Sequence, residues 1–162
     1  MTKNDISKDS ILFILEDGRI AGPQIYLLRL AKRLHLPNKI IYPFSGKKYK
    51  ELLDRQKLRN SKIFITKPGF TPLKILFYIL TFVPEVVYLS LYFLFSKERI
   101  IYVAGGAWQI KGLVAAKISF KKVVWHLNDT KMNTLIRLVF FFLSRLADGF
   151  IFASKASENY YK

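Results

Sequence analysis

The segment best equipped for chemistry is "VVWHLNDT", in which His126 ends a short apolar run and three polar residues follow. A histidine at the end of a buried strand can donate a hydrogen bond to a sugar hydroxyl or a carbonyl, or handle a proton. Asn128, Asp129 and Thr130 are good caps for a helix that begins near Lys131. Two interpretations of His126 therefore stay open: a group that contacts a ligand, or a buried ring that a backbone carbonyl satisfies.

A second candidate is the loop "EDGRIAGPQ", which separates an apolar run from an amphipathic segment. Gly22 followed by Pro23 is typical of a helix start, with glycine at the N-cap and proline at the first helical position. The free backbone N–H groups of Gln24 and Ile25 then attract an anion. The spacing from Gly18 to Gly22 matches neither the dinucleotide-binding fingerprint nor a P-loop. The loop is predicted either to touch a ligand or only to turn the chain.

The sequence offers little for metal, redox or hydrolytic chemistry. It has no cysteine and only two histidines, so disulfides and thiolate sites are excluded and no metal site is expected. Glu16 and Asp17 are adjacent, where side chains usually diverge, and capping or solvation explains them as well as catalysis does. An arrangement of Ser154, His126 and Asp129 lacks the G-x-S-x-G context of a hydrolase.

Short, wholly apolar runs alternate with helical segments along the chain, and such runs suit strands that are buried on both faces of a parallel sheet. The predicted strands are Ile11–Leu15, Lys39–Pro43, Ile63–Ile65, Ile100–Val103, Val123–Leu127 and Gly149–Ala153. The predicted helical segments are Pro23–Leu34, Lys47–Lys57, Thr71–Phe95, Trp108–Ile118 and Met132–Leu146. The alternation predicts an α/β fold with a doubly wound, mostly parallel, Rossmann-like sheet. Residues 11–162 form this one domain, after a polar extension over residues 1–10.

Ligands of open parallel sheets bind outside the carboxyl ends of the strands. That rule selects four loops for a site: Glu16–Gly22, Ala104–Trp108, His126–Thr130 and the segment from Ser154 onward. Gly105 and Gly106 lie in the second of these loops.

The composition favours a membrane surface over nucleic acid as the partner of the chain. There are 27 Lys and Arg residues against 11 Asp and Glu, and 51% of the residues are hydrophobic. Excess positive charge attracts polyanions, but here the basic residues flank long apolar runs rather than forming a polar face, so nucleic-acid binding is not expected. The polar start of the sequence is not typical of a secretory signal peptide, which predicts a cytoplasmic location.

One apolar belt, Ile75–Phe95, has membrane-spanning length, about 31 Å as a single helix. Pro84 and Glu85 near its middle disfavour spanning and predict two helices broken near Pro84 that dip into the lipid interface. The expected membrane contacts are Phe77, Tyr78, Tyr88, Tyr92 and Phe93, with Lys67, Lys74, Lys97 and Arg99 near anionic headgroups. A buried crossover helix and a transmembrane hairpin are the alternatives.

Four segments in order resemble the N-terminal domain of a GT-B glycosyltransferase of the large retaining family four. They are "AGPQIYLLRLAKRL", with Gln24 at the glutamate position of a G-G-A-E loop, "IIYVAGGAWQIKGLVAAKI", "VVWHLNDT" and "ADGFIFASKAS". The resemblance runs from Ile11 to about Tyr161 and implies one half of a GT-B architecture. It implies that Gly22 lies near the donor phosphates or the acceptor, and that His126 contacts the transferred sugar as the catalytic residue.

The resemblance further implies a set of donor-binding or acceptor-binding residues: Gly18, Gly22, Gln24, Gly105, Gly106, Asn128, Asp129 and Ser154. It implies a nucleotide-sugar substrate, no separate cofactor, and a first domain that selects the acceptor. With the belt and the charge, we expect a lipid-linked glycan acceptor at an anionic membrane, on the inner face of the cell membrane. The family's donor-binding domain is expected from a C-terminal domain or partner chain, without which no transfer is expected. The alternative is a non-enzymatic, membrane-peripheral scaffold of the same fold.

Overall fold

A computed structural model of the protein describes residues 10–67, 69 and 71–161. Its strands are β1 (Ile11–Leu15), β2 (Asn38–Pro43), β3 (Asn60–Ile63), β4 (Ile100–Ala104), β5 (Lys122–Leu127) and β6 (Gly149–Phe152). They form one sheet in the order β3-β2-β1-β4-β5-β6, and every neighbouring pair is parallel. The predicted doubly wound, Rossmann-like sheet is confirmed, and the strand order reverses between β1 and β4. Apart from Ser10, the polar extension over residues 1–10 lies outside the described residues.

The helices of the described chain cover the two faces of this sheet. They are α1 (Gly22–Arg33), α2 (Lys47–Arg55), α3 (Pro72–Phe95), α4 (Ile110–Ile118), α5 (Thr134–Leu143) with a 3-10 turn over Ser144–Leu146, and α6 (Lys155–Tyr161). Helices α1 and α2 pack on one face, and α3, α4 and α5 pack on the other. Right-handed crossovers that run from β1 out to β3, and then from β4 out to β6 on the other side of β1, place them this way.

Each face of the central strand has its own core because successive side chains of a strand point to opposite sides. On β1, Leu12 and Ile14 pack beneath α3 and α4, whereas Phe13 and Leu15 pack beneath α1 and α2. All five residues of β1 are buried. The wholly apolar run that predicted this strand therefore reflects burial on both faces.

The bounds predicted for β3 were wrong: the strand begins three residues earlier and ends two residues earlier than predicted. The strand covers Asn60–Ile63 rather than Ile63–Ile65, because pairing with β2 aligns Ile40 with Asn60 and Pro43 with Ile63. As an edge strand β3 is half-solvated, so its first residues are polar. Ile65 is buried but belongs to the loop that follows.

The predicted break at Pro84 was also wrong, because α3 is one helix of 24 residues that continues through the proline. Proline removes one backbone hydrogen bond inside a helix. Here the next residue, Glu85, is held on the sheet side by a buried ion pair with Lys111 of α4, and Val86 and Leu89 are buried beside it. Packing on both sides of Pro84 thus maintains the helix.

Candidate functional site

A pocket of about 280 Å³ opens at the carboxyl ends of β1, β4 and β5, beside the point where the strand order reverses. Its residues come from the loops after these strands, from the start of α1 and from the loop after β3. They are Glu16, Asp17, Arg19, Ala21, Pro23, Gln24, Lys67, Gly105, Trp108, Gln109, Asn128 and Asp129. Three of the four loops that the sequence selected therefore meet at one site, which we call the polar pocket.

Glu16, at the inner end of the polar pocket, is fully buried. Its Oε1 accepts a hydrogen bond from the Gly112 N–H at 2.9 Å, and its own backbone N–H donates to the Gln109 Oε1 at 2.6 Å. Burial raises the pKa of Glu16 to about 8, against the hydrogen bond from Gly112 and the charge of Lys111. The side chain is therefore a neutral acid near pH 7.

Asp17, the next residue, carries ion pairs within the pocket. Burial acts to raise the pKa of Asp17, but hydrogen bonds from Arg19 and the charge of Lys67 together lower it. Arg19 reaches the carboxylate at 2.5 Å, and the Lys67 ammonium lies 3.8 Å away. The adjacent carboxyls thus have different protonation states, because burial dominates at Glu16 whereas Arg19 and Lys67 outweigh burial at Asp17.

The turn between β4 and α4 depends on two glycines with positive φ, Gly105 at 124° and Gly106 at 99°. A Cβ on Gly106 would collide with the carboxylate of Asp129. That carboxylate accepts a hydrogen bond from the Ala107 N–H at 2.9 Å, and the Gly106 N–H donates to the His126 carbonyl at 3.1 Å. Burial raises the pKa of Asp129. The two loops after β4 and β5 are therefore fixed against each other.

Three residues of the polar pocket carry a buried oxygen atom that has no hydrogen-bond partner among the described residues. These atoms are Glu16 Oε2, Gln24 Oε1 and Asn128 Oδ1. The Gln24 amide is oriented by its own Nε2, which donates to the Asp17 carbonyl at 3.1 Å. Buried polar atoms are nearly always paired, so a cluster of such atoms in one pocket indicates a place for hydrogen-bond donors.

His126 is not among the residues that line the polar pocket, although Asn128, two residues further on, is. Alternation along β5 turns Trp125 toward α5 and His126 toward α1. The imidazole is only 1% exposed, and its ring centroid lies 4.8 Å from that of Tyr26 and 5.8 Å from that of Tyr102. Neither nitrogen has a hydrogen-bond partner in the part of the chain that the structure describes. Burial lowers the pKa of His126 to about 4. Of the two interpretations left open by the sequence, a ring satisfied by a backbone carbonyl finds no such carbonyl among the described residues, and a sugar contact stays a prediction.

The remaining residues of the predicted set do not line the polar pocket. Gly18 packs against Gly46, where a Cβ would come within 2.6 Å of that backbone. Gly22 is exposed, and Ala21 rather than Gly22 is the N-cap of α1. Ser154 caps α6 because its Oγ accepts the Ser157 N–H at 3.1 Å.

Two residues of the pocket, Lys67 and Gln109, lie outside both the four loops that the sequence selected and the helix start that follows the first of them. Arg19 and Trp108 lie within those loops but were not named as site residues. Gln109 had a usable signal, since it follows the glycine turn after β4 at the edge where ligands bind. Lys67 had none, because its loop after β3 lies far along the chain and only the tertiary fold brings it to Asp17.

A buried polar cluster lies next to the pocket, between α3 and α4. Lys111 Nζ donates to Glu85 Oε2 at 2.6 Å and to Thr66 Oγ1 at 2.9 Å, and it lies 3.8 Å from the centroid of the Tyr78 ring. The Thr66 N–H donates to both oxygens of Glu85. The cluster ties the loop after β3, the middle of α3 and the first turn of α4 together.

The predicted membrane contacts divide into three groups. Phe77 and Tyr88 are 55% and 41% exposed on the outer side of α3. Tyr78 and Tyr92 are half-buried, and the Tyr92 hydroxyl accepts a hydrogen bond from Lys39 at 2.7 Å. Phe93 was predicted wrongly: it is fully buried against the sheet, because it follows Val86 and Leu89 on the inward side of the helix.

The outer side of α3 is nevertheless a broad apolar surface, which we call the α3–α5 face. Its exposed side chains on α3 include Leu73, Leu76, Leu80, Val83, Val87, Leu91 and Phe95, and those on α5 are Leu138, Phe141 and Phe142. In the described part of the chain, α3 is the one helix that is long and apolar enough to cross a membrane. The strands before and after it, β3 and β4, belong to one sheet, so a spanning orientation is incompatible with this fold.

A further opening, of about 790 Å³, lies at the opposite edge of the sheet. Lys39, Arg59 and Lys97 line it together with Tyr88 and Phe95 from the end of α3. This edge lacks the carboxyl-end loops that form ligand sites in parallel sheets. Within the described residues, no group of three or more metal-ligating side chains comes together.

The all-parallel order and its reversal between β1 and β4 are those of a Rossmann-like domain. The resemblance noted in the sequence is confirmed at the level of fold. No protein-family model and no curated protein matches the sequence.

Among solved structures, the chain is similar to Anabaena HepE in complex with UDP and glucose, with a TM-score of 0.70 and 21% identity over 94% of this chain. The UDP-glucose complex of HepE gives a TM-score of 0.65 at 20% identity over 94% of this chain, and Acinetobacter baumannii MurG gives 0.62 at 18% over 92%. The chain spans 40%, 39% and 42% of these three structures, respectively.

Proposed function

We propose that this domain is the acceptor-binding half of a nucleotide-sugar-dependent glycosyltransferase that acts on a lipid-linked or membrane-associated glycan. The observation that carries the proposal is the convergence of three unpartnered buried oxygens, from Glu16, Gln24 and Asn128, on the polar pocket of a GT-B-like domain.

The chemistry of these oxygens favours a sugar over a phosphate. Amide oxygens accept hydrogen bonds, and a carbohydrate presents several hydroxyl donors close together. Asp17 and Asp129 line the pocket together with Arg19 and Lys67, so the carboxylates offset the cations and the pocket has no excess positive charge for a phosphate dianion. Neutral Glu16 can either donate to a hydroxyl or accept from one. We therefore assign the pocket to the acceptor glycan rather than to the donor phosphates, although the glycine loop alone left both open.

The α3–α5 face and the net charge of +16 support attachment to an anionic membrane. Contiguous exposed apolar surface of this kind marks a protein or membrane contact. Phe77 and Tyr88 lie on it, and Lys97 and Arg99 follow its end. We propose a peripheral location on the inner, cytoplasmic face of the cell membrane, where the apolar side chains enter the lipid interface and the cations meet headgroups.

A nucleotide sugar is the proposed donor, supported by the UDP and UDP-glucose complexes of the structurally similar HepE. Its binding requires a donor-binding domain outside these residues, from the same polypeptide or a partner chain. His126 is the proposed sugar contact. Because Tyr26 covers its ring, that role requires the Tyr26 side chain to move aside when the two halves close on a donor.

The test of the acceptor role is saturation-transfer NMR of the domain with short lipid-free oligosaccharides and, separately, with inorganic phosphate. We expect sugar signals that Gln24→Leu and Asn128→Leu abolish, and no competition by phosphate. Ser154→Ala is the matched control, since Ser154 lies outside the pocket and caps α6. Binding that survives both pocket variants would rule out the assignment.

Membrane attachment is tested by flotation with phosphatidylglycerol vesicles. We expect the wild type to float and a Phe77→Ser/Tyr88→Ser variant to float less, because both side chains are exposed. Equal flotation of the two would contradict insertion of this face. Flotation without any glycan binding would instead favour the non-enzymatic scaffold.

A further inference from the structure

Next to the polar pocket lies a second opening of about 490 Å³ between the first turns of α3 and helix α5, which we call the apolar groove. Its main walls are Ile75, Tyr78 and Ile79 on α3 and Ile136 and Val139 on α5, and Trp108 lies between them. Trp108 also lines the polar pocket. The two openings therefore share one wall and are adjacent.

The two openings have opposite chemistry. The polar pocket presents Arg19 and Lys67, the two cations that pair with Asp17, together with the unpartnered oxygens. The named walls of the apolar groove, in contrast, are hydrocarbon side chains and aromatic rings. A molecule that fills both must be an amphiphile with a hydroxyl-rich end and a hydrocarbon end.

A lysine lies near each of the two openings. Lys67 lines the polar pocket. Lys74, in the first turn of α3, lays its aliphatic stem against Gly69, which lines the apolar groove. Ammonium groups bind phosphate as point charges, so these lysines suit a phosphate or diphosphate linker between the two ends of such an amphiphile. The exposed apolar residues of α3 and α5 then continue away from the groove along the α3–α5 face.

We propose that the apolar groove holds the first part of the hydrocarbon chain of a phosphate-linked lipid acceptor, with its glycan in the polar pocket and the rest of its chain in the membrane. This inference rests on the proposed acceptor function and adds the lipid part of the substrate to it. Specificity for the lipid then comes from Ile75, Ile79, Ile136 and Val139, and Trp108 contacts the linker region.

Farnesyl phosphate, used below its micelle-forming concentration, is the probe for this groove. Trp108 and the fully buried Trp125 are the two tryptophans of the chain, so a saturable blue shift of tryptophan emission reports on Trp108. We expect this shift with farnesyl phosphate and none with inorganic phosphate. The Ile75→Ser/Ile79→Ser variant should weaken binding at least about tenfold, since each buried methylene contributes ~0.8 kcal/mol and 1.4 kcal/mol is tenfold.

The matched control is Leu80→Ser/Val83→Ser, which makes the same kind of change on the same helix outside the groove. Its residues are both 66% exposed, against 47% and 61% for Ile75 and Ile79, so all four positions tolerate serine. The control pair should change farnesyl phosphate binding less than about twofold while both pairs reduce vesicle flotation.

Absence of a saturable shift, or equal weakening by the two pairs, would overturn the groove assignment. Either result could occur while oligosaccharides still bind the polar pocket, so failure of this inference is separable from failure of the proposed function. A protein that binds farnesyl phosphate but no glycan would instead contradict the proposed function.

Discussion

Replacing Glu16 with glutamine should remove a pH-dependent loss of stability. The wild-type carboxyl is fully buried and its pKa is raised from 4.5 to about 8. Between these values the folded protein holds a proton that the unfolded chain has released. The free energy of unfolding therefore falls as pH rises through this range. Glutamine keeps the acceptor for the Gly112 N–H and cannot ionise.

The magnitude follows from the two pKa values. From pH 6.5 to pH 9 the folded carboxyl passes from protonated to ionised while the unfolded one stays ionised. Integrating the difference gives a loss of about 2 kcal/mol in the wild type relative to the variant. The difference in free energy of unfolding between Glu16→Gln and the wild type at pH 6.5 serves as the reference. Relative to this reference, we expect the variant to become progressively more stable than the wild type above pH 7.

The assay is urea unfolding followed by circular dichroism at half-unit steps from pH 6.5 to 9. Glu51→Gln, on the exposed surface of α2, is the control that removes the same formal charge, and its curve should run parallel to the wild type. A Glu16→Gln curve that also runs parallel to the wild type would refute the neutral, buried state of Glu16. It would also remove one donor from the proposed sugar site.

Three further predictions concern the surroundings of the polar pocket. Lys111→Met should cost about 3–5 kcal/mol in urea unfolding because it leaves the Glu85 carboxylate buried without its partner, and adding Glu85→Gln should recover part of that loss; a single variant as stable as the wild type would contradict the pairing. As pH falls from 6.5 to 5, the free energy of unfolding of His126→Phe should rise by about 1.5 kcal/mol relative to that of the wild type. The reason is that the unfolded histidine takes up a proton that the buried one, with its pKa near 4, does not. A constant difference across that range would show that the ring is not buried as a neutral group. Gly106→Ala should destabilise the domain by about 1–3 kcal/mol through its positive φ and the collision with Asp129. Gly22→Ala, with nothing within 4 Å of the new Cβ, should be neutral or stabilising by up to about 1 kcal/mol. Equal melting temperatures for the two variants would count against this account of the turn.

The elements that the sequence predicted best are those whose burial is symmetrical. β1 and β5 are buried on both faces, so their apolar runs indicate their positions directly, and the rule for parallel sheets then selects the edge where the polar pocket lies. β3 was misplaced because an edge strand owes its position to pairing with β2 rather than to its own apolar residues. Lys67 reaches the site through a tertiary contact with Asp17 that no local pattern records.

Helix α3 was the hardest element to interpret because its composition is nearly uniform. A helix that is apolar all round gives no preferred inward side from its periodicity, so Phe93 was expected at the membrane and is buried instead. The single charged residue in its middle, Glu85, was taken only as a reason against spanning. In the fold, Glu85 is what selects the inward side.

The ion pair of Glu85 with Lys111 explains how so apolar a helix keeps one orientation. Rotating α3 about its axis would bury other aliphatic side chains almost as well, so hydrophobic burial alone discriminates weakly between orientations. Rotation would, however, separate Glu85 from Lys111 and from the Thr66 N–H, which leaves charges buried without partners at a cost of about 3–5 kcal/mol. The pair therefore fixes Val86, Leu89 and Phe93 inward. The same constraint turns Ile75 and Ile79 toward the apolar groove. A buried charge pair in this way determines which hydrocarbon surface the protein can offer to a lipid.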